Sequence, residues 1–285
     1  MTAGSPSKKS EPAPARRVRL AVKRSTPNPR AVSSGDSVAV RGDAATRSRF
    51  DVFEVEVRRH TTIADALAAI SREPVLASGE RVPEVAWETG CLQGLCGACT
   101  IRVDGVARLA CTTLLSPLAT KKTPLRLEPL ATFPVIADLI VDRARLFRNF
   151  ARMETEPDAG SAFVASEDDS RRRDRTPAIA RAELLARCTG CAACLDACPE
   201  YGGDRAFVGA AVLARLERRK TLASSAEQAK RRVVLAMGDG GIHDCAKSGN
   251  CEAVCPEGLP LLDALRALAQ DANRELLDAL TGKDR

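Results

Sequence analysis

Aromatic residues make up only 3% of the 285-residue sequence, with one Trp and one Tyr. Its cores must therefore be built from Leu, Val and Ala, with metal–ligand bonds a second source of cohesion. Histidine is nearly missing too: His60 and His243 are the only two. They lie far apart in sequence, which removes the usual acid–base or nucleophilic constellation of an enzyme that transforms its own substrate. Both are read as surface or local hydrogen-bonding residues, His243 having the additional option of tuning a centre at Cys245. No run of 18 apolar residues occurs, so no membrane-spanning helix is expected. The start, MTAGSPSKKSEPAPARR, lacks the apolar stretch of a secretory signal and points to a reducing compartment, where thiols bind metal rather than pair as disulfides. The formal charge of +6 comes from 43 Lys and Arg against 37 Asp and Glu. These bases are scattered and no aromatic-laced patch accompanies them, which argues against nucleic acid as a partner.

What the sequence does have is cysteine, eleven in all. Cys188, Cys191, Cys194 and Cys198, followed by Pro199, form the CxxCxxCxxxCP run of bacterial ferredoxins. Cys245, Cys251 and Cys255, followed by Pro256, repeat it with Ser248 in place of one cysteine. In such paired runs the cysteine beside the proline ligates the other cluster. Cys255 then completes Cys188, Cys191 and Cys194 around a 4Fe-4S cluster, while Cys198 joins Cys245 and Cys251. Three thiolates without a fourth suit a 3Fe-4S cluster. A single run would also suit zinc, but two interlocked runs with prolines at matching places favour iron and sulfur. Upstream, Cys91, Cys96, Cys99 and Cys111 have plant-type 2Fe-2S spacing, with Gly94 and Gly97 allowing the loop to close over inorganic sulfur.

At this length two domains are expected. Residues 1–15 read as a disordered tail. Val18, Leu20 and Val22 alternate as a strand, residues 24–48 read as a long loop with a weak strand through Val38 and Val40 as the opposing reading, and Phe53, Val55 and Val57 mark a second strand. Thr61 or Thr62 caps a helix carrying Ile63, Leu67 and Ile70. Ile101 to Val106 form a hairpin over Asp104-Gly105, and Leu125 and Leu127 close the sheet. Beyond a boundary near residue 130 the pattern becomes helical. Ile136, Leu139, Ile140, Phe147 and Phe150 predict one amphipathic helix; residues 152–175, with Arg171, Arg172 and Arg173 facing solvent, have no periodicity; and Thr176-Pro177 start another helix. Phe207, Val208, Ala211, Val212 and Leu216 mark the inner side of the next. Ser224 and Glu227 suggest a capping box for a helix with Ala229, Val233 and Met237, and Pro260 opens a last one lined by Leu261, Leu265, Leu268, Ala272 and Leu276.

The order of a plant-type 2Fe-2S domain, a bacterial-ferredoxin-like helical domain and a second cysteine run lacking one ligand resembles the iron–sulfur subunit of succinate dehydrogenase and fumarate reductase. The resemblance covers residues 16 to 275 and all eleven cysteines, with smaller matches at Val85-Ala86-Trp87, Leu139 to Phe147, Phe207 to Ala211 and Gly240 to Cys245. It implies an α+β protein: a β-grasp 2Fe-2S domain over residues 16–130, then an all-helical domain over 131–285 holding 4Fe-4S and 3Fe-4S clusters. It assigns the eleven cysteines to the three centres as the spacing does. It further implies a flavoprotein partner with covalent FAD, a membrane anchor with haem b, and a peripheral position on the cytoplasmic face of the bacterial cell membrane. The segment Glu200-Tyr201-Gly202 after Pro199, and Ala246 where ubiquinone-linked members have a histidine, make the sequence most similar to the menaquinone-linked type. Related relays with two complete CxxCxxCxxxCP runs fit less well, because of Ser248 and the 2Fe-2S pattern.

Overall fold

The computed structural model describes residues 16–25, 48–119, 123–153 and 176–282. The readings of a tail before residue 16, a weak strand through Val38 and Val40, and a solvent-facing arginine run at 171–173 lie outside the described residues. Strands β1 (Arg16–Arg24) and β2 (Arg49–Val57) pair antiparallel, from Arg16 opposite Val57 to Arg24 opposite Arg49. Val18, Leu20 and Val22 of β1 and Phe53, Val55 and Val57 of β2 are buried, while Arg17, Arg19, Glu54 and Glu56 face out. This is the period of two that one covered sheet face imposes. Helix α1 (Ile63–Arg72) contributes Ile63, Leu67 and Ile70 to the same core. Thr62 is its cap, in a reciprocal box with Asp65, and the Thr61 hydroxyl instead accepts from the Arg58 N–H.

Strands β3 (Thr100–Val103) and β4 (Val106–Leu109) form the hairpin over Asp104 and Gly105, whose φ values of 46° and 84° are those of a type I′ turn. Strand β5 (Leu125–Glu128) enters between β1, to which it is parallel, and β3, to which it is antiparallel. The order is β2-β1-β5-β3-β4, so Leu125 and Leu127 close the sheet from its middle. The result is a mixed sheet under one helix, the β-grasp arrangement.

The next stretch departs from the expected helix. Ile136 and Ile140 belong to a small hairpin of β6 (Val135–Ala137) and β7 (Ile140–Val141), and Leu139 to its turn. The reason is Asp138. Its buried carboxylate accepts from the Ser25 and Ala86 N–H groups, both at 2.9 Å, and pairs with Arg24 Nε at 3.1 Å, while its own backbone sits at φ 43°. Such side-chain-to-backbone bonds offer the chain an alternative to helix. Helix α2 (Ala144–Met153) starts only afterwards, burying Phe150 and leaving Phe147 exposed.

The remaining described elements are helical: α3 (Pro177–Leu185), α4 (Ala193–Asp196), α5 (Ala210–Thr221), α6 (Ala226–Ala236), α7 (Asn250–Ala253) and α8 (Leu261–Thr281), with a 3-10 turn at Ile242–Asp244. Helix α5 is the centre, touching α2, α3, α6 and α8. Phe207 and Val208 are buried but precede it, since Gly209 at φ 96° breaks the chain direction and the Val208 N–H goes to Gly240. The cap of α6 is Ser225, with Ser224 bound to the Gln228 side chain, one residue later than the sequence suggested. The buried face of α8 ends at Ala272, and Leu276 is exposed. Glu217, wholly buried, meets Arg181 at 2.9 Å and Lys220 at 2.6 Å, and Lys220 also pairs with Asp271, which ties α3, α5 and α8 together.

Sheet and helices meet at Asp196, whose Oδ1 accepts from the Ala131 N–H at 2.6 Å and the Thr132 N–H at 3.4 Å, with Arg102 at 3.5 Å. Burial raises its carboxyl above the ordinary value of 3.8. Replacing it by Ala strands two donors and is expected to cost about 1–3 kcal/mol; Asn keeps the acceptor and should cost less. Since the folded value lies above the unfolded one, the carboxyl's contribution is full below the ordinary value and is lost as pH rises through the folded one. Asp196→Asn should therefore gain on the wild type as pH rises from the ordinary carboxyl value through the raised folded one. Thermal unfolding across that range is the measurement, and a difference that stays constant with pH would contradict the account.

Candidate metal centres

All eleven cysteines are free thiols, and they fall into three neighbourhoods. In the loop between α1 and β3, Cys91 and Cys96 lie at the surface side and Cys99 is buried, as is Cys111 just after β4. The Gln93 and Leu95 N–H groups both point at Cys91 Sγ at 3.3 Å, and the Cys91 N–H points at Cys96 Sγ at 3.3 Å. Those donors lower the Cys91 thiol to about 7, whereas burial pushes Cys99 up to about 11. The β3–β4 hairpin returns the chain so that the Ala110 N–H bonds to the Cys99 carbonyl at 3.1 Å, which sets Cys111 beside Cys99.

The second neighbourhood gathers Cys188, Cys191, Cys194 and Cys255 around one small cavity, also lined by Thr189, Gly190 and Leu261. Burial raises Cys188, Cys191 and most of all Cys194, and their neighbouring thiolates add to it. The third cavity is lined by Cys198, Cys245 and Cys251 together with Ala246, Lys247 and Ser248. Burial again raises Cys198, and takes Cys251 to about 11. Thus the fold brings Cys255 to the first run and Cys198 to the second, the crossing that the two prolines suggest. The two cavities adjoin, because Cys194 feels Cys251 and the Asn250 amide donates to the Ala197 carbonyl at 3.1 Å.

These sites fit iron–sulfur clusters. Among the described residues no group of three or more His, Cys, Asp or Glu side chains is disposed to hold a single metal ion. In the second and third neighbourhoods the sulfurs instead ring cavities, and a 4Fe-4S or 3Fe-4S cluster calls for that wider spacing because each thiolate takes its own iron. A Cβ at Gly90 would meet Cys96 Sγ at 2.7 Å, and one at Gly97 would meet the Cys191 Cα at 2.6 Å. The second contact joins two neighbourhoods that are 94 residues apart at these positions in the chain. Backbone conformation adds a feature that residue spacing does not reveal. Of the five non-glycine residues with positive φ among those described, Leu92, Ala192 and Lys247 sit one in each cysteine loop. Left-handed residues in such loops turn successive N–H groups to one side, forming anion-binding concavities. Neither histidine belongs to a site; both are exposed.

Residues 20–148 match the family described as 2Fe-2S iron-sulfur cluster binding domain, and residues 183–259 the family described as 4Fe-4S dicluster domain. The succinate dehydrogenase iron-sulfur subunit of Bacillus subtilis is 33% identical over 87% of this chain and 96% of its own length. A fumarate reductase iron-sulfur subunit of Escherichia coli O6:H1 is 27% identical over 83% of this chain and 91% of its own. A chain of the solved Mycobacterium smegmatis Sdh1 complex in the apo form has the same fold, with a TM-score of 0.67 and 20% identity, covering 92% of this chain and 98% of that one.

Gly97 at φ 71° and Gly79 at φ 90° are both left-handed, but only Gly97 is crowded; nothing lies within 4 Å of a Cβ at Gly79. Substituting Ala at Gly79 is expected to cost about 1 kcal/mol from backbone strain alone. At Gly97 the same change should cost about 3 kcal/mol or more, with displacement of the Cys191 loop. Thermal unfolding of the two variants measures this, and equal losses would show that the Gly97–Cys191 contact is not tight.

Proposed function

The chain belongs to the family of succinate dehydrogenase and fumarate reductase iron–sulfur subunits, and from that premise we propose that it carries electrons between a flavoprotein and a membrane quinone through three separate clusters. As a member it is the electron-transfer subunit of such a complex and performs no substrate chemistry itself. The finer assignment is our own. Cys91, Cys96, Cys99 and Cys111 hold a 2Fe-2S centre in a domain of residues 16–130. Cys188, Cys191, Cys194 and Cys255 hold a 4Fe-4S centre, and Cys198, Cys245 and Cys251 a 3Fe-4S centre, in a domain of residues 131–285. The observation that carries this reading is the exchange of Cys198 and Cys255 between the two runs, which leaves four thiols around one cavity and three around the next.

Each centre, when bound, accepts and releases one electron. The residues supply the rest: Gly97 lies against Cys191 and Cys194 near Cys251, so the middle neighbourhood adjoins each of the other two. Leu92 and Leu95, 52% and 69% exposed beside Cys91 and Cys96, give the first site an apolar rim for a flavoprotein carrying covalent FAD. The exposed stretch Ala246-Lys247-Ser248 sets the last site toward an anchor subunit with haem b. No helix among the described residues is long and apolar enough to cross a membrane. A peripheral position on the cytoplasmic face of the bacterial cell membrane is part of the proposal and follows from the family likeness. Menaquinone is the proposed acceptor. Tyr201 turns out to be buried, against Phe133 and beneath Arg145, so that reading now rests on Ala246.

Ser248 lines the three-thiol cavity, and its hydroxyl stays protonated near neutrality and ligates iron poorly. Ser248→Cys should convert the 3Fe-4S centre to 4Fe-4S and lower its potential. EPR of the air-oxidised complex should then lose the near-isotropic 3Fe-4S signal while dye-linked succinate oxidation persists. A wild-type complex without that signal, carrying four irons at this site, would refute the assignment. Extraction of the purified complex should yield menaquinone, and faster turnover with ubiquinone analogues than with naphthoquinones would overturn the choice of acceptor.

A further inference from the structure

Between the first and second cysteine neighbourhoods lies a buried charge that ligand assignment leaves without a role. Arg143, between β7 and α2, has a side chain only 8% exposed. Its Nη1 donates to the Gly97 carbonyl at 2.9 Å and its Nη2 to the Ala98 carbonyl at 2.8 Å. The Glu88 carboxylate, 44% exposed, stands 3.6 Å away, and Nε is buried without a hydrogen-bond partner. A guanidinium so placed is costly to desolvate, and its partners here are two neutral carbonyls and one half-exposed carboxylate at 3.6 Å. The fork closes on Gly97, the residue whose Cα abuts Cys191. Its charge also reaches Cys191, where it opposes the effect of burial on that thiol. A lysine could supply the charge but not the two-pronged grip.

We propose that Arg143 is the positioning residue of the first inter-cluster step, fastening Gly97 onto Cys191 and setting a positive charge beside the receiving site. The inference rests on the ligand assignment given above. With both clusters bound, one electron would pass from the reduced centre held by Cys91, Cys96, Cys99 and Cys111 to the oxidised centre held by Cys188, Cys191, Cys194 and Cys255. No bond forms or breaks and no proton moves; a reduced flavin in the partner subunit is the electron source. The fork sets the gap the electron crosses, and the charge favours its arrival.

The test is an EPR-monitored reductive titration of the assembled complex. Arg143→Gln, which removes both fork and charge, should weaken the magnetic interaction between the two reduced centres and shift their one-electron equilibrium about tenfold away from the second, about 59 mV. Arg143→Lys should weaken the interaction while keeping most of the potential. Glu88→Gln, a change at a half-exposed position, should leave the interaction intact and raise the potential of the second centre. Arg143→Gln with wild-type iron and sulfide content, unchanged interaction and unchanged potential would overturn the proposal. If the Arg143 variants fail to assemble, an unchanged potential in Glu88→Gln overturns it. A wild-type complex lacking one of the two centres faults the ligand assignment itself, and the proposal falls with it.

Discussion

A thiolate among Ala and Leu side chains is unfavourable unless a cation takes up its charge, and burial raises Cys191, Cys194 and Cys251 in these surroundings. The elements that carry Cys194 and Cys251 are single turns: α4 and α7 have four residues each, far below the length at which a helix persists alone. Their order depends on being held from outside. Helices α5 and α8 supply an apolar bed through Ala211, Leu213, Leu261 and Leu265. In the proposed assignment, iron–thiolate bonds supply the remaining cohesion, and Cys255 and Cys198 cross-link segments that hydrophobic packing alone would join loosely.

The same loops concentrate backbone conformations that side chains dislike. Leu92, Ala192 and Lys247 each hold a left-handed turn beside their cysteines, a strain of order 1 kcal/mol or more that persists only where surrounding structure fixes it. The gain is directional: N–H groups aimed at sulfur, as Gln93 and Leu95 already are at Cys91, stabilise negative charge on the ligand and so affect the potential of whatever is bound. Fold stability and electronic tuning draw on the same few peptide groups here.

Cysteine spacing made the site legible because cluster geometry restricts which thiols can meet; the grouping of Cys255 with Cys188 follows from a proline and a count of residues. Period-two alternation likewise located β1 and β2, and the Asp104-Gly105 pair located the hairpin. What sequence could not display was competition between local pattern and distant partners. Ile136, Leu139 and Ile140 have helical spacing, yet Asp138 is claimed by Arg24, Ser25 and Ala86, and these long-range bonds decide for a hairpin. Arg143 was invisible for the same reason, since its partners lie more than forty residues earlier in the chain. The capping shift from Ser224 to Ser225 is a smaller case, in which two adjacent serines offered equivalent caps and the Gln228 side chain took one of them.

Arg24 ends β1 directly opposite Arg49 at the start of β2, so the chain leaves the sheet and re-enters it at facing positions. Both ends are secured: Asp51 is gripped by Arg24 and Arg49, and Ser25 is bound to Asp138. The offset between β1 and β2 is thus locked at its open end by three charged side chains and one serine, so a change in strand register would have to break the Arg24–Asp51–Arg49 cluster and the Ser25–Asp138 bond together.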